Sequence, residues 1–195
     1  MFEILYRITD SDEELAMLAE NTSYEGGDVL GFFEINVNGY HYGYYHNYPL
    51  QPGEFWNEQI TNWFIVLIHA YQELNRSGYV LISLLDAYPW IELRKVQEMV
   101  EINILLAEKP DGTTELRLTP LEEFEYDKWY IQYVKDGELH SESVDRRDES
   151  VKLDKMRAEL LRKALQYLDE LRDINPKLLR NERIAELNSL ISCLK

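Results

Sequence analysis

The stretch Gly31-Phe32-Phe33-Glu34-Ile35-Asn36-Val37-Asn38-Gly39-Tyr40-His41-Tyr42-Gly43-Tyr44-Tyr45-His46 decides the fold. Asn38-Gly39 separates two runs rich in aromatic and β-branched residues. Asn-Gly is the preferred pair for a two-residue type I′ turn, in which both central residues need φ > 0. A turn of that length fixes the register. Val37 then opposes Tyr40, Ile35 opposes Tyr42 and Phe33 opposes Tyr44, which makes one apolar, aromatic face. The other face pairs Asn36 with His41, Glu34 with Gly43 and Phe32 with Tyr45.

Upstream, residues 2–8 alternate weakly and read as a first strand. Thr9-Asp10-Ser11-Asp12-Glu13-Glu14 carries two overlapping capping boxes, Asp10 with Glu13 and Ser11 with Glu14, ahead of a short helix with Leu15, Leu18 and Ala19 inward. Residues 21–28, with Gly26-Gly27, read as a loop. Downstream, Pro52-Gly53-Glu54 opens a long helix through Ser77, stopped by Gly78. Trp56, Ile60, Trp63, Phe64, Leu67, Tyr71 and Leu74 keep helical spacing, so this helix is expected to lie at the centre of a sheet packing.

An antiparallel meander is expected next: residues 79–85, Trp90 to Arg94, 99–107, 114–118, 124–134 and 139–144. From about Arg147 the texture changes. Leu153, Met156, Leu160, Leu161, Ala164, Leu165, Leu168 and Leu171 sit at helical spacing among alternating charges. Asn175-Pro176 ends that helix and caps another lined by Ile184, Leu187, Leu190 and Ile191. The expected fold is α+β: an antiparallel sheet on a long central helix, with a C-terminal two-helix hairpin. The expected division is an acidic domain over 1–146 and a helical hairpin over 147–195, docked on the first domain.

Composition narrows the function classes. The 195 residues include 36 Asp and Glu against 20 Lys and Arg, a formal charge of −16, and 45% hydrophobic residues. Disordered and collagen-like chains are excluded. Residues 1–137 hold 24 acidic and 8 basic residues, and residues 138–195 hold 12 of each, so the whole excess falls in the first part of the chain. That pattern argues against nucleic acid and against anionic membranes, both of which require clustered Lys and Arg. It favours either a basic protein partner or simply a well-solvated surface. Cys193 is the single cysteine, so no internal disulfide forms. The longest apolar run covers residues 63–68, against about 20 residues for a membrane span. The start of the chain has no basic and apolar leader pattern, so a cytoplasmic location is expected.

No nucleotide-binding glycine motif, nucleophile elbow or zinc-protease helix is present. His41 and His46 fall on opposite faces of a continuing strand. No metal and no cofactor are expected. His69 reads as a half-buried helix histidine and His140 as a solvated one. Glu123, Glu125 and Asp127 alternate on one strand face, where they serve as an edge guard, a contact for a basic protein or a cation row. Asp86, Trp90 and Glu92 flank a Pro turn at a strand end, a place where a carboxylate beside an indole can form a site. The tyrosine run offers Tyr42, Tyr44 and Tyr45 as contact residues, because tyrosine supplies large area at low entropy cost.

Gly31 through Gly39, the helix with Trp56 and Trp63-Phe64, then Gly78-Tyr79-Val80, and Asp86-Ala87-Tyr88-Pro89-Trp90-Ile91-Glu92 together resemble small acidic bacterial immunity proteins of polymorphic toxin systems. The resemblance covers about residues 30–107. It implies a non-enzymatic inhibitor that binds a toxin domain, and it transfers no individual site residue. The expected function is therefore neutralisation of a basic toxin by occlusion, with Tyr42, Tyr44, Tyr45, Glu123, Glu125, Asp127, Asp86, Trp90 and Glu92 as the contact set. Two alternatives remain open. One is an enzyme with a site near Asp86, Glu92 and His69. The other is a structural module that forms a homodimer through the C-terminal helices.

Overall fold

A computed structural model describes residues 1–21, 27–51, 58–83, 89–106 and 145–194. The fold is α+β, with helices and two antiparallel sheets. The chain divides into two units. One joins Met1–Ile68 to Asp154–Lys195, and the other is His69–Leu153. This is a different partition from a boundary at 146/147, because the C-terminal helices share a unit with the first strands. The split changes the charge picture as well. Each unit holds 18 acidic and 10 basic residues, so the −16 is shared as −8 and −8. The asymmetry along the sequence is cancelled in space by the bases that residues 154–195 bring to the acid-rich first 68 residues.

In the first unit, β1 (Phe2–Ile8) pairs antiparallel with β2 (Leu30–Val37), and β2 pairs with β3 (Tyr40–Tyr44). The β2–β3 register is the one that the Asn38-Gly39 turn dictates: Val37 opposite Tyr40, Ile35 opposite Tyr42 and Phe33 opposite Tyr44. Asn38 and Gly39 have φ of 53° and 94°, as the type I′ turn requires. The Asn36 side chain accepts from the Gly39 amide at 2.9 Å and clamps the turn from below. Gly39→Val puts a β-branched residue at positive φ and is expected to cost about 1–3 kcal/mol. Chemical denaturation reads this directly, and an unchanged midpoint contradicts it.

Between β1 and β2 lies α1 (Asp12–Glu20), opened by the Ser11–Glu14 capping box. The second expected box does not form. Asp10 instead accepts from the Leu30 amide at 2.8 Å, tying the end of β1 to the start of β2. The next helix, α2, covers Ile60–Ser77 and does not run from Pro52. Glu58–Gln59 form a short strand, β4, opposite Leu30 and Gly31, and residues 52–57 lie outside the described residues.

The inward face of this sheet is apolar because its alternate residues all bury. Phe2, Ile4, Phe33, Ile35, Val37 and Tyr42 are each at most 8% exposed. Trp63 and Phe64 of α2 close on Phe33, with ring centroids at 5.2 Å (stacked) and 5.4 Å (edge to face). A long helix, α3 (Leu153–Ile174), adds Tyr167, whose ring lies 5.3 Å from that of Phe64 and 5.4 Å from that of Tyr6. Glu159 of α3 accepts from the outward amide of Ile4 at 3.1 Å and is itself held by both guanidinium nitrogens of Arg162. An edge-strand donor is thereby satisfied by a side chain.

After α3, Asn175 caps a 3₁₀ turn (Pro176–Arg180) with Pro at its first position. Asn181 then caps α4 (Glu182–Ile191). The two-helix hairpin is present, with a shorter second helix than the apolar pattern predicts.

The second unit carries β5 (Tyr79–Ser83), β6 (Pro89–Val96), β7 (Met99–Leu106) and β8 (Asp145–Lys152) in that order, all antiparallel. Val80, Ile82, Ile91, Leu93, Val100 and Ile102 form its buried face. The β6–β7 turn is Gln97-Glu98, with Gln97 at φ 57°. The segment that reads as the approach to a helix, 145–152, is a strand. Its sequence, DRRDESVK, has no alternation, and its pairing with β7 is what makes it one. The strands expected at 114–118, 124–134 and 139–144 lie outside the described residues.

Candidate functional site

The face of β1–β2–β3 turned away from α2 carries Glu3, Leu5 and Arg7 from β1, Phe32, Glu34 and Asn36 from β2, and His41 from β3, by strand alternation and register. At Gly43 the strand leaves the extended region, with φ 100°. A Cβ there would stand 2.3 Å from the Phe33 carbonyl oxygen, so no side chain fits. Beyond Gly43 the alternation breaks. Tyr44 is paired with Phe33 along the backbone, but its ring lies 5.7 Å from Phe32 and 5.8 Å from His46.

The segment after β3 then folds back across β2. His46 packs on Phe32 at 4.6 Å and stacks on Tyr48 at 5.8 Å. Arg7 of β1 holds it there by donating to the carbonyl oxygens of His46 at 3.5 Å and Tyr48 at 2.5 Å. Phe32 ends fully buried beneath this group, while Tyr44 is 46% and Tyr48 is 71% exposed. The result is a cluster of rings presented to solvent and pinned from behind.

Glu34 lies beside the cluster. Its side chain is 8% exposed, and its Oε1 lies 2.7 Å from His41 Nδ1, on a ring that is itself 56% exposed. Among the described residues, Glu34 Oε2 takes part in no hydrogen bond. A carboxylate this enclosed ordinarily has several donors. This one has a single donor, contributed by a side chain that stands mostly in water.

The expected contact residues fare differently. Tyr42 is 4% exposed and belongs to the core face with Ile35, so it is no contact residue. Tyr44 is on the exposed cluster, and Tyr45 is half-buried just past β3. Glu92 is corrected from contact residue to interior anchor. It is 1% exposed and accepts from the Tyr79 hydroxyl (3.0 Å), Arg94 (3.2 Å) and Asn103 Nδ2 (3.0 Å). Trp90 lies on β6, opposite Ser83 and Leu105 in register. Asp86, Glu123, Glu125, Asp127 and His140 lie outside the described residues. His69 is 9% exposed on α2, its Nδ1 lies 3.3 Å from Gln72 Oε1, and burial lowers its pKa. Among the described residues no group of three or more His, Cys, Asp or Glu could hold a metal ion, and no helix is long and apolar enough to cross a membrane.

One residue that sequence reading passes over organises the first unit. Asp28, with a side chain 1% exposed, accepts from the backbone amides of Val29 (2.6 Å), Thr61 (3.1 Å) and Asn62 (2.9 Å). It caps the positive end of α2 from outside the helix. Arg183 of α4 stands 3.9 Å away and donates to Asn62 Oδ1 at 2.8 Å. Burial raises the Asp28 pKa, opposed by the Thr61 and Asn62 donors and by Arg183, and burial also raises that of Asp10. Asp10, Glu14, Met17, Leu18, Asn21, Asp28 and Leu30 line a cavity of about 290 Å³, whose acids are already engaged by amides and the Ser11 hydroxyl.

No protein-family model, curated relative or solved structure matches this chain.

Proposed function

We propose that this chain is a non-enzymatic binding protein that neutralises a basic toxin domain by covering it with the Tyr44–His46–Tyr48 face. The observation that carries the reading is the exposure of Tyr44 and Tyr48 on a cluster that Arg7 fixes from behind. Rigid exposed aromatic rings are the groups that anchor protein interfaces. The charge supports a basic partner: with the bases of residues 154–195 included, the first unit still carries −8. The immunity role itself rests on the resemblance over residues 30–107.

Opposite charge speeds encounter more than it deepens affinity. Raising salt from about 0.05 to about 0.5 M shortens the Debye length from roughly 14 to roughly 4 Å. The association rate with the toxin is expected to fall at least tenfold, while Tyr48→Ala instead speeds dissociation. The decisive experiment expresses the product of the neighbouring gene in a host cell. Growth arrest relieved by co-expression of this chain supports the reading. A harmless neighbour, or arrest that this chain does not relieve, overturns it.

A further inference from the structure

We infer that Glu34 is the receptor for a guanidinium group of the partner, with Tyr44 as the stacking wall and His41 as a placeholder that the incoming arginine displaces. The inference deepens the proposed binding of a basic protein and rests on that reading.

Three observations lead to it. First, Glu34 is mostly enclosed and keeps one carboxylate oxygen open to a further donor. Its side chain is 8% exposed, Oε1 meets His41 alone and Oε2 has no hydrogen bond among the described residues. Burying a carboxylate costs free energy unless donors surround it, and a forked guanidinium supplies two at once. Second, the one donor present is easily displaced. His41 is on β3 with 56% of its side chain in solvent, and an imidazole that swings outward loses little packing. Third, the neighbouring surface suits a flat cation. Register sets Gly43 opposite Glu34, and the Tyr44 ring, one residue further along β3, is 46% exposed. Guanidinium stacks on aromatic faces, whereas an ammonium is more strongly hydrated and cannot use both carboxylate oxygens in plane. The occupant that fits is therefore an arginine side chain, and the net −8 of the first unit favours its approach.

The probe is a capped tri-arginine peptide titrated into the full-length protein and followed by NMR at the rings of His41, Tyr44 and Tyr48. Those signals are expected to shift together and saturate. Glu34→Gln should weaken binding at least fivefold, whereas Asp154→Asn, which removes one charge from the exposed start of α3, should leave it within twofold. Capped tri-lysine should bind at least threefold more weakly than tri-arginine. His41→Ala should tighten binding at least twofold, because it vacates the carboxylate; this variant decides the matter even where Glu34→Gln disturbs folding. Equal loss in Glu34→Gln and Asp154→Asn would reduce the effect to general attraction and overturn the inference. Unchanged or weaker binding in His41→Ala overturns it too, as does parity of the two peptides. The growth assay reads neutralisation only. Relief of arrest without Glu34-dependent peptide binding sinks this site and leaves the function standing, and the converse sinks the function alone.

Discussion

Asp28→Ala is expected to lower the stability of the first unit by about 3 kcal/mol, the largest effect of any single substitution outside its apolar core. The α2 N-terminus loses its cap, which leaves the buried amides of Thr61 and Asn62 without their acceptor, at about 1–3 kcal/mol for each donor left dry. Arg183 also loses the carboxylate that stands 3.9 Å away. Asp28→Asn should lie between wild type and Ala, since it keeps one acceptor but turns an N–H toward other N–H groups.

The pH profile adds a signature with a definite sign. The Asp28 and Asp10 carboxyls bind a proton more readily folded than unfolded, where the ordinary value is 3.8. Their contribution to stability is complete below that value and is lost as pH rises through the raised folded values. In Asp28→Asn that part of the slope should vanish. Thermal melts across mildly acidic pH test both statements, and a variant as stable as wild type with the same slope would show that the cap carries no weight.

Removing residues 148–195 is the second change with a large expected effect. Leu160, Ala164, Tyr167, Leu168, Leu171, Ile184 and Leu187 are each at most 3% exposed, and Tyr167 bonds the Thr61 hydroxyl at 2.9 Å. The fragment 1–147 would present the matching surface of Tyr6, Phe64 and Ile4 to water, and large exposed apolar patches drive association. It should lack cooperative unfolding of the first unit, bind a hydrophobic dye and aggregate. A monomeric fragment with an intact melting transition would mean that the helices are an independent arm.

How much of this was legible beforehand follows from the range of each signal. The Asn38-Gly39 hairpin, the Ser11 capping box, the Asn175-Pro176 cap and the apolar stripe of α3 are written within a few residues of where they act. The misses are long-range or depend on backbone geometry. Asp28 caps a helix that starts 32 residues later, and its sequence neighbours mark only a loop. Residues 145–152 become a strand through β7, not through their own pattern. Gln97-Glu98 turns without turn-forming residues. Gly43 reverses the side on which Tyr44 emerges, which strict alternation cannot foresee. In the candidate site, the tyrosine run marked a contact surface, but which way Tyr44 faces was not written in it. Glu34 was not legible either, because its meaning lies in a diagonal pairing with His41 and in burial that only the assembled sheet supplies.

The first unit is assembled from the two ends of the chain, and that arrangement imposes an order in time. During synthesis Met1–Ile68 emerges first, but the α3 residues that cover its apolar sheet face come only after the 85 residues of the second unit, His69–Leu153. At about 5–20 residues per second the wait is roughly 4–17 s. For those seconds Phe2, Ile4, Phe33 and Ile35 have no α3 to pack against, whereas the contiguous middle segment is complete as soon as Leu153 has emerged. The middle can therefore finish folding before the beginning does. Slow elongation within residues 69–153 would prolong the exposure, and a holding chaperone would find its binding surface on the nascent N-terminal strands.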